Sequence, residues 1–293
     1  MSAADFASFL EKIGHRVVRT RSSCWYDAGR FFYLSLPSHQ LLSPEPDELR
    51  ELWRTGSCAG VRFPAPLEGP GKLSYQIVCS ERGYSLDTLS ANNRSKVRRG
   101  LRRCEVGPLA FAEIARLGER AHRDTLARQE RDWHSLSQNW QRYFEAAAQT
   151  PGMEGWAAFA HGELAAFLVS VQFDDTVEFL LARSRSDMRD AYPNNALLFH
   201  VAEEMLVRRG VRQITFGLES LEEVESLDEF KFGMGFQKKP LRQRVVFHPW
   251  LAAVIGLPGL NTLLQRWAAR GGASSVRWRK AAGLLRFAAE GRA

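Results

Sequence analysis

A chain of 293 residues that is 45% hydrophobic and 25% charged can bury a full core, as one large domain or two intimate small ones, and is not a disordered chain. No window reaches the ~18 uninterrupted apolar residues of a membrane span, and Met1-Ser2-Ala3-Ala4-Asp5-Phe6 lacks the basic-then-apolar layout of a secretion signal, so a cytoplasmic location is expected. The net charge of +7 is a property of the tail, because residues 241–293 hold nine Lys or Arg against one acid, Glu290; a basic, apolar-rich tail suits an anionic membrane surface, RNA or an acidic patch of the protein itself.

Phe6, Phe9, Leu10 and Ile13 share one helical face, and Val17–Thr20, Cys24–Tyr26 and Phe31–Leu36 read as strands, with Asp27-Ala28-Gly29-Arg30 as a hairpin connection. A helix over Asp47–Trp53 and strands over Ala59–Phe63 and Leu73–Cys79 follow, the strands separated by the Pro/Gly-rich loop Pro64–Gly71. Cys24, Cys58, Cys79 and Cys104 stand far apart in no CxxC or Cys/His spacing, so they are expected as reduced, mostly buried thiols, with no metal site.

Ser85–Arg103 reads as a helix whose Arg94, Lys96, Arg98, Arg99, Arg102 and Arg103 come without an acid among them. Val97 and Leu101 supply a narrow apolar seam, leaving cations around most of the circumference, as a solvated face or as a site for phosphate or carboxylate. A further helix carries Phe111, Ile114, Leu117 and Ala121, and an irregular polar segment runs from His122 through Arg128 to Trp133. After a helix over Leu136–Gln149, the strands Trp156–Ala160, Leu164–Gln172 and Val177–Arg183 form a three-stranded meander with turns at His161-Gly162 and Asp174-Asp175.

The most informative stretch is Ala191–Phe247. Tyr192-Pro193-Asn194-Asn195 opens a helix with Leu197, Leu198, Val201, Met205 and Leu206 at helical spacing, and Gly210 ends it. A strand over Val211–Gly217, the end Leu218-Glu219-Ser220, an acidic connection and Phe230-Lys231-Phe232-Gly233-Met234-Gly235-Phe236 follow. Basic apolar helices are expected beyond Pro249, where Trp250, Trp267 and Trp278 serve as interfacial anchors or pack against the core.

Three features resemble the GNAT acyltransferase superfamily, in its FemABX-like branch with the BioF2-like (CelD-like) acetyltransferases. They are the basic helix Asn93–Arg99, the Pro193–Leu198 entry into a helix ending at Gly210, and Phe230-Lys231 followed by Met234-Gly235-Phe236 and a closing strand. The resemblance implies an α+β fold of tandem GNAT-like units with mixed sheets, the second complete, in which neighbouring strands splay apart to admit the acyl donor. The implied segments are 1–84, a divergent N-terminal unit; 85–249, the acyltransferase domain; and 250–293, a basic helical extension. One departure stands out: the position of the usual pyrophosphate loop reads Arg185-Ser186-Asp187-Met188-Arg189-Asp190-Ala191, without a glycine to let amides approach phosphate.

The implied reaction is direct attack of a small-molecule or peptide amine on an acyl or aminoacyl group, with acyl-CoA or aminoacyl-tRNA as donor and no metal. Glu219 at a strand end or Glu178 on the third meander strand is placed to take the amine proton. The resemblance gives Lys231 the negative charge of an acyl oxygen or phosphate, although the acids around it also explain a lysine there. Tyr192 is a leaving-group acid or a helix cap. Asn194 and Asn195 are caps or, with Arg185 and Arg189, donor contacts. Arg94, Lys96, Arg98 and Arg99 face phosphate, and Arg128 with Trp133 the acceptor. The other class is a degenerate GNAT-like module that binds RNA or anionic membrane through its basic helix and tail.

Overall fold

The structure, a computed structural model, describes residues 1–29, 31–55, 58–129, 139–221, 225–255 and 275–291. It divides into two compact units, each discontinuous in sequence. Unit 1 is Met1–Ile13, Ile77–Gly217 and Glu225–Gln237; unit 2 is Gly14–Gln76, Leu218–Val224 and Lys238–Ala293. Each draws on more than one of the segments 1–84, 85–249 and 250–293. Both are α+β with mixed strand pairing, as the sequence predicts.

In unit 1, α1 (Ala3–Lys12) begins at a reciprocal cap, where Ser2 Oγ accepts the Asp5 amide and the Asp5 carboxylate accepts the Ser2 amide. Its apolar face meets Phe173 and Tyr143 edge-on through Phe6 and Phe9. The meander is β7 (Met153–Ala160), β8 (Glu163–Phe173) and β9 (Thr176–Ser184). The first turn works because His161 and Gly162 both take positive φ, 53° and 76°, matching the strand twist. The edge strand β6 (Cys104–Pro108) pairs antiparallel with β7. β10 (Gln213–Leu218) lies parallel to β9, and β5 (Lys72–Cys79) neighbours β10, giving the order β5-β10-β9-β8-β7-β6.

Helices cover both faces of this sheet. Phe167 on β8 packs on Trp140 and Phe144 of α6 (Trp140–Ala148). Trp156 lies on the other face against His200 of α7 (Pro193–Glu203). A π turn over Glu204–Arg208 and Gly210 at φ 67° close α7.

Several expectations need correction. The 85–103 helix starts at Ala91, as α3 (Ala91–Arg103), after a separate 3-10 turn over Leu86–Thr88. The polar segment after Ala121 is helical to Arg128: α4 (Phe111–Leu117) is followed by α5 (Glu119–Arg128), which buries Ala121, His122, Thr125 and Leu126, so that a histidine and a threonine take apolar positions. The acidic connection before Phe230 is largely α8 (Glu225–Gly233). Residues 27–29 extend strand β2 rather than forming the turn, since Phe31 supplies the positive φ, 68°.

In unit 2 the strands β1 (Val17–Arg19), β2 (Cys24–Gly29), β3 (Phe32–Leu36), β4 (Gly60–Ala65), β11 (Gln237–Phe247) and β5 lie in the order β1-β2-β3-β4-β11-β5. One face buries Trp25, Tyr33, Val61 and Phe63 against Leu49 and Leu52 of α2 (Pro46–Arg54). The other buries Val245 under Phe287 and Ala288 of α10 (Ser275–Glu290). A short helix α9 (Pro249–Ile255) follows β11. Among the described residues no helix is long and apolar enough to cross a membrane, no group of side chains is arranged for a metal, and no disulfide joins the cysteines.

Candidate functional site

The parallel pairing of β9 with β10 ends early. Thr176, Val177 and Glu178 pair with Gln213, Ile214 and Thr215, yet β9 runs on to Ser184 and β10 to Leu218 without further pairing among the described residues. The register of β8 against β9 shows why: Val169 faces Leu181 but Ser170 faces Phe179, so Leu180 is an extra residue. An extra residue bends its strand and raises the local twist, which carries β9 away from β10 just past Glu178. The opening is the splay that the sequence resemblance implies.

Side chains of unit 1 furnish it. Phe216 lies between Phe179 and Phe236, with ring centroids 5.2 Å and 4.9 Å away. Lys231 Nζ sits 5.3 Å from the centroid of Phe216 and 2.8 Å from Asp228 Oδ1, with 21% of its side chain exposed. Ring and carboxylate together hold the ammonium in place, and a fixed ammonium can be shared with a developing oxyanion. Glu178, the last residue of β9 paired with β10, is buried.

Beyond β9 the chain reaches the first turn of α7. Tyr192 precedes it at φ 55°, in the left-handed region, and offers no side-chain cap. Neither asparagine caps the helix: Asn194 Nδ2 donates to Ser184 Oγ and Asn195 Nδ2 to Met234 Sδ. The first-turn amides therefore point outward with the positive end of the helix dipole, an arrangement that suits an anion. Close approach of α3 frames this end. A Cβ on Gly100 would stand 2.8 Å from the Tyr192 carbonyl oxygen and 3.0 Å from Ala196 Cβ, and the Arg99 guanidinium lies 4.6 Å from the Tyr192 ring centroid. Arg99 Nε is buried without a hydrogen-bond partner among the described residues.

The other cations divide by role. Arg94 holds the carbonyls of Leu86, Asp87 and Leu89, and Arg103 that of Asp190. Arg98 and Arg102 are exposed and Lys96 partly so, with no ion pair among the described residues. Buried Arg185 joins Glu163 and Asp187, which raises its already high pKa. Arg128 binds the Ser184 carbonyl and hydroxyl and pairs with Asp124; burial lowers its pKa, with the Asp124 charge opposing. Arg189 is exposed. Trp133 and Trp267 lie outside the described residues. Lys231, Glu178, Tyr192, Asn194, Asn195 and the arginines named here belong to unit 1; Glu219 belongs to unit 2.

Around Glu219 the structure assembles residues that sequence reasoning missed. Ser74 Oγ donates to Glu219 Oε2 at 2.5 Å, while the Glu219 carbonyl accepts from Arg62 Nη2 at 2.5 Å and Gln243 Nε2 at 3.3 Å. Arg62 Nε also donates to Gln243 Oε1 at 2.6 Å. Burial pulls the Arg62 pKa down to about 10, with the Glu219 charge opposing. One signal was available: Lys72, Ser74 and Gln76 alternate with Leu73, Tyr75 and Ile77, which marks β5 as having one polar face.

Residues 91–231 match the acetyltransferase (GNAT) domain family. No curated protein sequence matches the chain. Among solved structures, FemX is similar at TM-score 0.60 and 10% identity, over 86% of this chain and 93% of that one. The C-terminal domain of a putative lysylphosphatidylglycerol synthetase from Agrobacterium fabrum is similar at TM-score 0.56 and 12% identity, over 86% and 89%. The structure of L-PGS from Bacillus licheniformis follows at TM-score 0.54 and 14% identity, over 92% and 97%. Residues 91–231 thus match the acetyltransferase (GNAT) domain model, and the chain shares its fold with FemX and with the lysylphosphatidylglycerol synthetase domain.

Proposed function

We propose that the chain is an N-acyltransferase that moves an acyl or aminoacyl group from a thioester or ester to a small-molecule or peptide amine. The observation that carries this reading is the opening between β9 and β10, with Lys231 over Phe216 on its wall. In the reaction the amine nitrogen attacks the carbonyl carbon, the C–N bond forms, and the C–S or C–O bond to the donor breaks. Lys231 stabilises the oxyanion between these events. The amine proton passes to Glu178 or Glu219, and Tyr192 supplies a proton to the leaving group.

Acyl-CoA is the first donor on this reading. The uncapped first turn of α7 and the Arg99 guanidinium beside Tyr192 suit its phosphates, although the 185–191 loop offers no glycine. Aminoacyl-tRNA is the second reading, favoured by the outward Lys96, Arg98 and Arg102, which have no ion pair among the described residues. No metal takes part on either reading. A cytoplasmic location and peripheral contact of the basic tail with anionic membrane complete the proposal.

The test offers acyl-CoAs and aminoacyl-tRNA in turn to the full chain with an amine panel, and repeats the assay with Lys231→Ala. Transfer from one donor, with kcat lowered by about 10²-fold or more in the variant, supports the reading. Transfer at the parental rate by folded Lys231→Ala removes the role of Lys231. Salt-sensitive RNA or vesicle binding without transfer from either donor favours a binding module instead.

A further inference from the structure

We infer that unit 2 holds a binding site for a primary ammonium group bearing a nearby carbonyl or hydroxyl oxygen, built by Glu219, Ser74 and Gln76. The Glu219 amide donates to the Tyr75 carbonyl at 2.9 Å, which sets Glu219 beside β5 between Ser74 and Gln76. Its side chain lies on the Ser74 face, since Ser74 Oγ binds Glu219 Oε2. Side chains alternate along a strand, so Gln76 is on that face too, about 7 Å further along. The Glu219 side chain thus lies along the β5 face that carries Ser74 and Gln76.

Neither Ser74 nor Gln76 carries a charge. Among the described residues the carboxylate has Ser74 as its side-chain partner and no Lys, Arg or His at ion-pair distance. Arg62 spends its hydrogen bonds on the Glu219 carbonyl and Gln243. Lys72, on the same face of β5, pairs with Glu290 at 3.0 Å and lies over the Phe287 ring at 4.3 Å. The Arg62 charge acts on the carboxylate without touching it, so the part-buried carboxylate has no direct ion pair. Gln76 has the complementary deficit: it is 1% exposed and its Nε2 has no hydrogen-bond partner among the described residues, although buried donors are nearly always paired. One strand face therefore carries a negative group without a direct ion pair and a buried donor lacking an acceptor among the described residues.

A single ligand meets both needs when its ammonium binds the carboxylate and an oxygen a few bonds away accepts from Gln76. Amino-acid amides, peptide N-termini and amino alcohols have this layout. A lone cation leaves Gln76 unpaired, and a neutral amide leaves the charge unmet. The ligand class deepens the amine acceptor of the proposed function and rests on that reading for its purpose. The site itself uses unit 2 residues alone and is tested by binding without an acyl donor, so its failure leaves the transfer reading standing.

The experiment titrates the full chain with glycinamide, methylammonium and acetamide by calorimetry. Saturable glycinamide binding, tighter than either fragment, is expected. Glu219→Gln, nearly isosteric and uncharged, should weaken it by about tenfold or more; Glu219→Asp replaces it if that variant fails to fold. Gln76→Leu should reduce glycinamide affinity to the methylammonium level while raising the thermal midpoint, because it deletes an unpaired buried donor. Absence of saturable binding, equal affinity in the Glu219 variant, or a lowered midpoint in Gln76→Leu would each overturn the inference, the last by showing that the amide serves the fold.

Discussion

Replacing Gly100 by alanine sets two effects of opposite sign against each other. In a helix interior alanine is favoured over glycine by about 1 kcal/mol. The added Cβ, however, would stand 2.8 Å from the Tyr192 carbonyl oxygen and 3.0 Å from Ala196 Cβ. Crowding of this kind costs about 1–3 kcal/mol in packed interiors. Neither obstacle is the end of a flexible side chain, and the carbonyl already accepts the Ala196 amide at 3.1 Å, as the first backbone bond of α7. The upper half of the range therefore applies and the net effect is a loss of about 1–2 kcal/mol, which lowers the thermal midpoint by roughly 2–4 °C for a chain of this class. Gly107→Ala, where nothing lies within 4 Å, is the control. Urea unfolding of both variants measures the difference, and transfer activity reports whether Arg99 and Tyr192 have been displaced. A Gly100→Ala protein more stable than the parent by the full propensity gain would refute the close packing of α3 on α7.

A second prediction concerns pH. Burial, with the Arg183 charge adding to it, holds the His122 pKa down to about 4, against about 6.5 in an unfolded chain. The folded state keeps the ring neutral while the unfolded state takes a proton below pH ~6.5, so stability present above that pH is lost as pH falls toward 4, by at most about 3 kcal/mol. Urea unfolding across this range should show a shallower decline in His122→Gln; identical slopes would count against it. Truncating Phe287, 1% exposed against Val245 and under Lys72, should cost about 3 kcal/mol in the same assay, and a loss below about 1 kcal/mol would mean that α10 packs loosely. Tyr192→Phe should lower kcat but leave Arg99 stacked, whereas Tyr192→Ala should weaken donor binding as well. A parental kcat in Tyr192→Phe would remove the hydroxyl from the reaction.

Much of unit 1 was legible because its signals are local. His161-Gly162 and Asp174-Asp175 mark tight turns, and Pro193 and Gly210 bracket a helix whose leucines keep helical spacing. The features that make the opening are different. Leu180 lies within Phe179-Leu180-Leu181-Ala182, which contains no glycine or proline, and any of its residues reads equally well as regular strand; only the register against β8 reveals the bulge. α5 was misread because the side chains it buries include His122 and Thr125, with Thr125 Oγ1 donating to the Ser184 carbonyl 59 positions away. α8 was obscured by acids that read as a loop. In unit 2 the partners of Glu219 are Ser74 and Arg62, 145 and 157 positions earlier, and no local pattern couples residues so distant.

The basic helix α3 shows how structure converts a composition into distinct roles. Its sequence presents six cations that look equivalent. Folding assigns Arg94 and Arg103 to backbone carbonyls at either end, where they fix the turn before the helix and the loop before α7. Arg99 is pressed against Tyr192 with one buried N–H unpaired, at the end of α7 where helix-dipole and amide groups favour an anion. Lys96, Arg98 and Arg102 keep their charges toward water. An anion meeting Arg99 would relieve a deficit already built into the fold, whereas one meeting the outer three would gain only screened attraction. Substitution at Arg99 therefore separates site binding from surface attraction more sharply than substitution at the exposed cations.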